Sequence, residues 1–151
     1  MRGVTTALGA RVIPPRPSKD AYYLDIAKAV SRRSTCLRRR YGAVVVANDE
    51  IIATGYNGAA RGDRNCCDVG HCHRAGNSHN DGNYGSCPAV HAEMNALLSA
   101  SRSETIGATL YLAGYDLEED RQIYGWEIEP CPVCKRMIAN AGIAEIVTEP
   151  R

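Results

Sequence analysis

Apolar residues recur at helical spacing at Tyr23, Ile26, Ala27 and Val30 behind Ser18, whose hydroxyl suits an N-cap, and this spacing predicts a first helix ending near Ser34. The pattern then changes period. Gly42 to Ala47 is a continuous, largely β-branched run and Ile51 to Thr54 is another, with Asn48-Asp49-Glu50 between them, which predicts a tight antiparallel hairpin. From Tyr56 to Cys87 the periodicity disappears into a segment rich in Gly, Asn, His and Cys. A loop of that length is functional or misassigned, and its density of ligand-type residues favours function. Pro88 suits the first turn of a helix running to about Ser101, with Val90, Met94, Leu97 and Leu98 on its buried side. Thr109 to Ala113 reads as the third strand, and Gly114 to Glu129 is polar and acidic, with Ile123, Tyr124 and Trp126 available for an extra hairpin. Pro132 opens a last helix through Met137 and Ile138, Gly142 closes it, and Ile143 to Thr148 is the fourth strand. Helix, strand, strand, helix, strand, helix, strand implies a mixed sheet with helices on its faces. Residues 1–17, poor in apolar periodicity and carrying Pro14, Pro15 and Pro17, read as an irregular arm ahead of a single domain over 18–151.

A chain of 151 residues supports one domain with a full core. Lys and Arg number 18 against 17 for Asp and Glu, so no global charge advertises nucleic acid. Arg32, Arg33 and Arg38 to Arg40 do cluster around the start of the first strand, either as a solvated basic face or as a site for an anionic substrate or effector. Seven cysteines accompany no apolar stretch of signal-peptide or membrane-spanning length, which points to metal ligands in a reducing cytoplasm in preference to disulfides.

Chemistry concentrates in His91-Ala92-Glu93 and Pro130-Cys131-Pro132-Val133-Cys134. A catalytic zinc takes three protein ligands and keeps an open position for water, and a separate carboxylate can then move protons. Cys131 and Cys134 stand three apart, so they share a face of one helical turn, and the positive helix end helps ionise their thiols. His91 falls in the first turn of the other helix, and Glu93, two residues on, points away from the metal and towards its water. Zinc lowers the pKa of bound water towards roughly 7. The zinc-bound hydroxide would attack C4 of a cytosine ring while Glu93 takes the water proton, protonates the ring nitrogen and helps ammonia leave. Each half alone is a weak signal, because Cys-x-x-Cys is as often redox or structural and a lone His91 is more often a cap or a core residue. Both together, in this order and at matching helix starts, make a strong one.

With these residues the sequence resembles the deoxycytidylate deaminases of the cytidine deaminase-like superfamily. The resemblance runs from about Ala21 to Val147 through Gly42-Ala-Val-Val-Val46, Gly55-Tyr-Asn-Gly58, His91-Ala-Glu-Met-Asn95, Pro130-Cys-Pro-Val-Cys134 and Asn140-Ala-Gly-Ile143. It implies an α/β fold, three-layer αβα with a mixed central sheet and helices on both faces. It implies His91, Cys131 and Cys134 as zinc ligands and Glu93 as the proton shuttle. Asn57, with Tyr56 beside it, would line the nucleoside pocket and hold the sugar, although an Asn before Gly58 also reads as a turn residue. Arg102 matches an arginine that lies near a nucleotide or subunit contact in a phage relative, and an exposed helix-end arginine is the simpler reading. Some relatives bind a structural zinc between the first strand and the loop after Gly-Tyr-Asn-Gly. By position Cys36, Cys66, His71 and Cys87 would form that second site and pin the loop, with Cys67, Cys72, His73 and His79 as competitors.

The function so implied is hydrolytic deamination of dCMP to dUMP, a step of pyrimidine deoxynucleotide metabolism. The alternatives are deamination of a free base, another nucleoside or a 5-modified cytidylate, deamination of a base in RNA, and a zinc-stabilised binding module without turnover. Near-neutral charge and the acidic 114–129 segment count against RNA, and an unliganded Glu93 counts against a module without turnover. The resemblance also implies a homo-oligomer, commonly a hexamer, and admits dCTP and dTTP as effectors. Two features depart from the family: the Gly114 to Glu129 insertion, placed to reshape the pocket mouth or a subunit contact, and an end at Arg151 without the last helix and strand of many relatives. Four core strands are expected, with the insertion or a neighbouring subunit over the exposed edge.

Overall fold

The structure, a computed structural model, describes residues 13–151; the arm expected over 1–17 therefore lies mostly outside the described residues, and 13–17 are exposed and irregular. Ser18 caps helix α1 (Lys19–Ser31), its hydroxyl accepting from the Ala21 amide at 3.2 Å. Strands β1 (Arg39–Ala47) and β2 (Glu50–Tyr56) form the expected antiparallel hairpin. Asn48 and Asp49 carry φ of 52° and 64°, the left-handed pair of a two-residue turn whose twist matches the strands. After β2 come the short strand β3 (Gly58–Ala59), a single turn α2 (Cys66–Val69), and strand β4 (Ala89–Val90), which pairs with β3. Helix α3 (Ala92–Leu98) and the turn α4 (Arg102–Thr105) lead to β5 (Thr109–Asp116). Strand β6 (Arg121–Gln122), a 3-10 turn (Gly125–Ile128), helix α5 (Pro132–Asn140) and β7 (Glu145–Thr148) complete the chain.

The sheet runs β2-β1-β5-β6, with β7 parallel to β5 at Thr109–Leu112 and β6 antiparallel to it at Tyr115–Asp116. The four expected core strands β1, β2, β5 and β7 are present, and β6, from the insertion, adds a fifth on the part of the β5 edge that β7 leaves open, as the expected extra hairpin would. Alternation along β1 divides the core. Ala43 and Val45 face α3 and α5 together with Leu110, Leu112, Ala96, Cys134 and Ile138, and Val44 and Val46 face α1 with Tyr23, Leu24, Ala27 and Tyr111. This is the three-layer mixed architecture expected. No helix among the described residues is long and apolar enough to cross a membrane.

Two glycines set the layer spacing. A Cβ on Gly42 would stand 2.2 Å from the Ala27 carbonyl oxygen, and one on Gly55 would stand 2.3 Å from the Ala96 nitrogen. Helices α1 and α3 thus meet the sheet backbone to backbone, from opposite faces. Met94 and Leu97 pack against the core as expected, but that close approach corrects the placing of Leu98 on the buried side. Ala92, Glu93 and Ala96 are its buried residues and Leu98 is 75% exposed, because only small side chains fit over Gly55. The helix is also shorter than expected. It does not open at Pro88, since Ala89–Val90 pair with β3 first, and it breaks after Leu98 before α4.

Candidate active site

Two helices open at the same place, and each contributes to one cluster. His91 is the N-cap of α3 and Cys131 the N-cap of α5, both with extended backbone, and Cys134 lies in the first turn of α5. The turn is closed by the Cys134 amide donating to the Cys131 sulfur at 3.4 Å. His91 Nδ1 lies 3.4 Å from Cys134 Sγ and 3.6 Å from Cys131 Sγ. One nitrogen and two sulfurs converging this closely can hold a metal ion, and this donor set suits tetrahedral zinc. Burial, with help from the Arg74 charge, keeps the His91 pKa below its usual value, so the ring is neutral with a lone pair to give. Burial and the nearby Glu93 carboxylate push the Cys134 thiol up.

Glu93 follows the N-cap of α3 by two positions and is 6% exposed. Burial raises its pKa against the opposing bond from its own amide and a contact with the Cys134 thiol. Glu93, His91 and Cys131 line a cavity of about 380 Å³, within the range of small-molecule sites. Strand β1 supplies Arg39 and Tyr41 to its wall, the long loop supplies Arg74 and Tyr84, and the insertion supplies Trp126 and Ile128. Burial pushes the Tyr41 hydroxyl up to about 12 against the lowering effect of Arg39.

Of the expected substrate residues, Asn57 is buried on this wall. Its carboxamide is engaged by β1, accepting from the Tyr41 amide at 2.8 Å and donating to the Arg39 carbonyl at 2.9 Å. Tyr56 and Arg102 do not line the cavity. The Tyr56 side chain is exposed and its carbonyl accepts from Asn95, while Arg102 Nε donates to the Asn140 carbonyl on the protein surface. In the long loop, Cys66 is buried, and burial, with smaller contributions from Cys36, Cys72, Cys87 and Cys67 nearby, raises its pKa. His71 is instead exposed with its ring 5.1 Å from that of His73. A second group of ligand-type atoms, His79, Asp116 and Glu118, is already tied to Arg38 and Arg39 by ion pairs.

The sequence reading missed Arg39, Arg74, Tyr41, Tyr84 and Trp126 as cavity residues. Arg39 was visible only as one of a basic cluster, and strand alternation decides which arginine turns inward. Arg74 and Tyr84 lie in a stretch with no periodicity to place them.

The profile of the cytidine and deoxycytidylate deaminase zinc-binding region matches residues 17–149. A deoxycytidylate deaminase of Mycobacterium phage D29 is 41% identical over 138 residues, covering 87% of this chain and 94% of the relative. The deoxycytidylate deaminase of Saccharomyces cerevisiae is 39% identical over 137 residues, and this chain spans 38% of that longer protein. Among solved structures, the dCMP deaminase of cyanophage S-TIM5 in complex with dCMP and dUMP superposes with a TM-score of 0.63 at 30% identity, covering 89% of this chain and 83% of that one. With its paired helix starts, its His/Cys/Cys cluster and its buried glutamate, the chain belongs to the cytidine and deoxycytidylate deaminase family.

Proposed function

We propose that the chain deaminates dCMP to dUMP, with His91, Cys131 and Cys134 as zinc ligands and Glu93 as proton carrier. The observation that carries this reading is the convergence of His91 Nδ1 on both sulfurs beside a buried glutamate, on the wall of a cavity of nucleotide scale. Zinc bound to these residues supplies the Lewis acid that makes water nucleophilic at neutral pH and keeps both thiols ionised. Everything else falls to the chain. Glu93 would receive the proton of the attacking water on a carboxylate oxygen and pass it to the ring nitrogen next to C4; it would then take the proton of the new C4 hydroxyl and deliver it to the departing amino group, which leaves as ammonia as the C4 carbonyl forms. Its raised pKa places it nearer the operating pH, where a carrier of protons in both directions works best. Asn57 fixes the β1 backbone at Arg39 and Tyr41, and its remaining amide hydrogen and lone pair are left for a sugar hydroxyl.

A second, structural zinc on Cys36, Cys66, Cys87 and Cys72 belongs to the same reading. It is supported by the electrostatic influence of Cys36, Cys72 and Cys87 on the buried Cys66 and by amide donation to two of the sulfurs, Arg38 to Cys36 at 3.5 Å and Arg74 to Cys72 at 3.4 Å. Cys72 takes the place first given to His71, whose ring faces solvent. A homo-oligomer of hexamer size and response to dCTP or dTTP complete the reading; light scattering and assays with each nucleotide test them.

The deciding experiment is deaminase activity on dCMP, CMP, deoxycytidine, cytosine, dCTP and 5-substituted cytidylates, with zinc measured in parallel. The expected outcome is preference for dCMP with two zincs per chain. Activity on another member of the panel moves the substrate and keeps the chemistry. No turnover of any member by zinc-loaded protein overturns the reading.

A further inference from the structure

The loop that walls one side of the cavity is a folded unit with few ties to the rest of the chain. Residues 72–87 contain no helix or strand and wrap around Arg74. Its Nη2 donates to the Ser78 carbonyl at 2.9 Å and to Asp81, and its guanidinium carbon lies 4.8 Å from the centre of the Tyr84 ring. Among the described residues, every hydrogen bond that leaves this segment goes through Arg38 or His79. Arg38 gives Nη1 to the Arg74 carbonyl at 2.9 Å and Nη2 to the Asn77 carbonyl at 2.8 Å. Both ties converge on one carboxylate. Glu118 accepts from Arg38 Nε on Oε1 at 3.2 Å and from His79 Nε2 on Oε2 at 3.0 Å. Burial and the charges of Arg39 and Arg38 hold His79 below its ordinary pKa, so at neutral pH the uncharged ring gives its Nε2 hydrogen to an oxygen that can only accept.

Glu118 belongs to the 114–129 insertion and is itself held by the sheet. Its amide donates to Asp116 Oδ1 at 2.9 Å, and the Leu117 amide donates to the Arg38 carbonyl at 2.8 Å. Asp116 is fully buried and paired with Arg39. A rigid corner of the sheet thus presents a carboxylate to a segment that has no regular structure of its own. The Arg38 side chain is only 12% exposed, so its bond to Glu118 is screened less than that of an ordinary surface pair. Glu118 does not line the cavity, but Arg74 and Tyr84 do, and the Tyr84 ring stands edge-on to His91 at 5.2 Å. Any shift of the segment therefore moves the wall beside the His/Cys/Cys cluster. We propose that Glu118 is a positioning residue: by clamping Arg38 and His79 it holds residues 72–87 closed against the cavity, and so sets the affinity for substrate without touching it. This rests on the cytidylate deaminase reading of the cavity.

Two measurements on the zinc-loaded protein test this together: steady-state deamination of dCMP, and amide hydrogen exchange read by mass spectrometry. Glu118→Ala is expected to raise KM about 10-fold, the scale of charge-assisted bonds lost from a half-exposed carboxylate, with kcat within about twofold of wild type. Exchange across residues 72–87 should quicken by the same factor of about 10 while β1 and β5 keep their rates, because the lost clamp favours local opening to the same extent. Glu118→Gln, which keeps the length and one acceptor oxygen, should recover part of both effects. A KM within about twofold of wild type in Glu118→Ala overturns the inference even where exchange is faster, since the clamp then holds the segment without serving the site. A fall in kcat at unchanged KM overturns it too, because Glu118 would then act on the chemical step. If Glu118→Ala does not fold, an unmoved KM in Glu118→Gln overturns it in the same way. Each of these results leaves the deaminase reading standing. Wild type that turns over no cytidylate brings that reading down, and the positioning role with it; faster exchange in the variant would then mark a clamp of structural use only.

Discussion

Replacing Glu93 with Gln tests the chemistry most directly. The two side chains have the same shape, so the fit of α3 over Gly55 and the contact with Cys134 are preserved. What is lost is the ability to carry a proton. A positioned general acid or base contributes about 100- to 10,000-fold, or about 2.7 to 5.5 kcal/mol of barrier at 1.36 kcal/mol per factor of ten. Because Glu93 is buried and would carry both protons that the reaction moves, the upper half of that range is expected. Stability should move the other way. In the zinc-free protein a carboxylate whose pKa is raised by burial disfavours the folded state above its unfolded pKa of about 4.3, so the neutral amide removes that penalty at pH 7. The assay is kcat on dCMP with zinc content measured on the same preparation, and Tm after zinc is stripped. The expected result is a loss of at least about 1,000-fold in kcat with zinc retained, and a Tm of the zinc-stripped protein unchanged or higher. A kcat within tenfold of wild type would refute the proton-carrier role. Loss of zinc together with activity would show that Glu93 holds the site together and does not run it.

Other outcomes follow from the same structure. Asp116→Asn leaves Arg39 buried without its counter-charge and should cost about 3–5 kcal/mol in urea unfolding at pH 7. Folding depresses the Asp116 pKa, so this contribution is complete above its unfolded value of about 3.9 and fades as pH falls through the lower folded value; a penalty constant down to pH 2 would contradict the ion pair. Gly55→Ala forces its methyl against the Ala96 nitrogen and should destabilise by about 1–3 kcal/mol, with activity falling further than the unfolded fraction explains because α3 carries His91 and Glu93. Cys66→Ser should lower zinc from two per chain to one and increase proteolysis between residues 60 and 88; an unchanged stoichiometry of two would remove Cys66 from the second site.

The parts of the fold legible in the sequence were those governed by periodicity and turn chemistry. The β-branched runs around Asn48-Asp49 gave a hairpin with left-handed turn residues, and Pro132 with Gly142 bracketed α5 closely. The catalytic cluster was legible because its ligands sit at helix starts, where local spacing fixes geometry. Pro88 misled because a proline suits a strand entry as well as a helix entry, and the pairing of Ala89–Val90 with β3 is a tertiary event. Leu98 misled because apolar spacing does not reveal that Gly55 brings two backbones together and favours alanine there. Arg74 was invisible for a related reason: its burial depends on Tyr84 and Asp81 folding over it, in a loop with no repeating pattern.

The glycine contacts at Gly42 and Gly55 have a consequence for how such an enzyme can diverge. They fall at neighbouring rungs of the β1–β2 ladder, Gly42 opposite Tyr56 and Gly55 opposite Ala43, and lock a helix to each face with no side chain between to act as padding. The reactive groups ride on this stiff chassis. Arg74, Tyr84 and Trp126, by contrast, arrive on segments that cross no such contact. Drift in those segments can exchange one ligand preference for another without disturbing the spacing of His91, Glu93 and the two cysteines. Selection for a new substrate therefore has a rim it can rewrite and a frame it must keep.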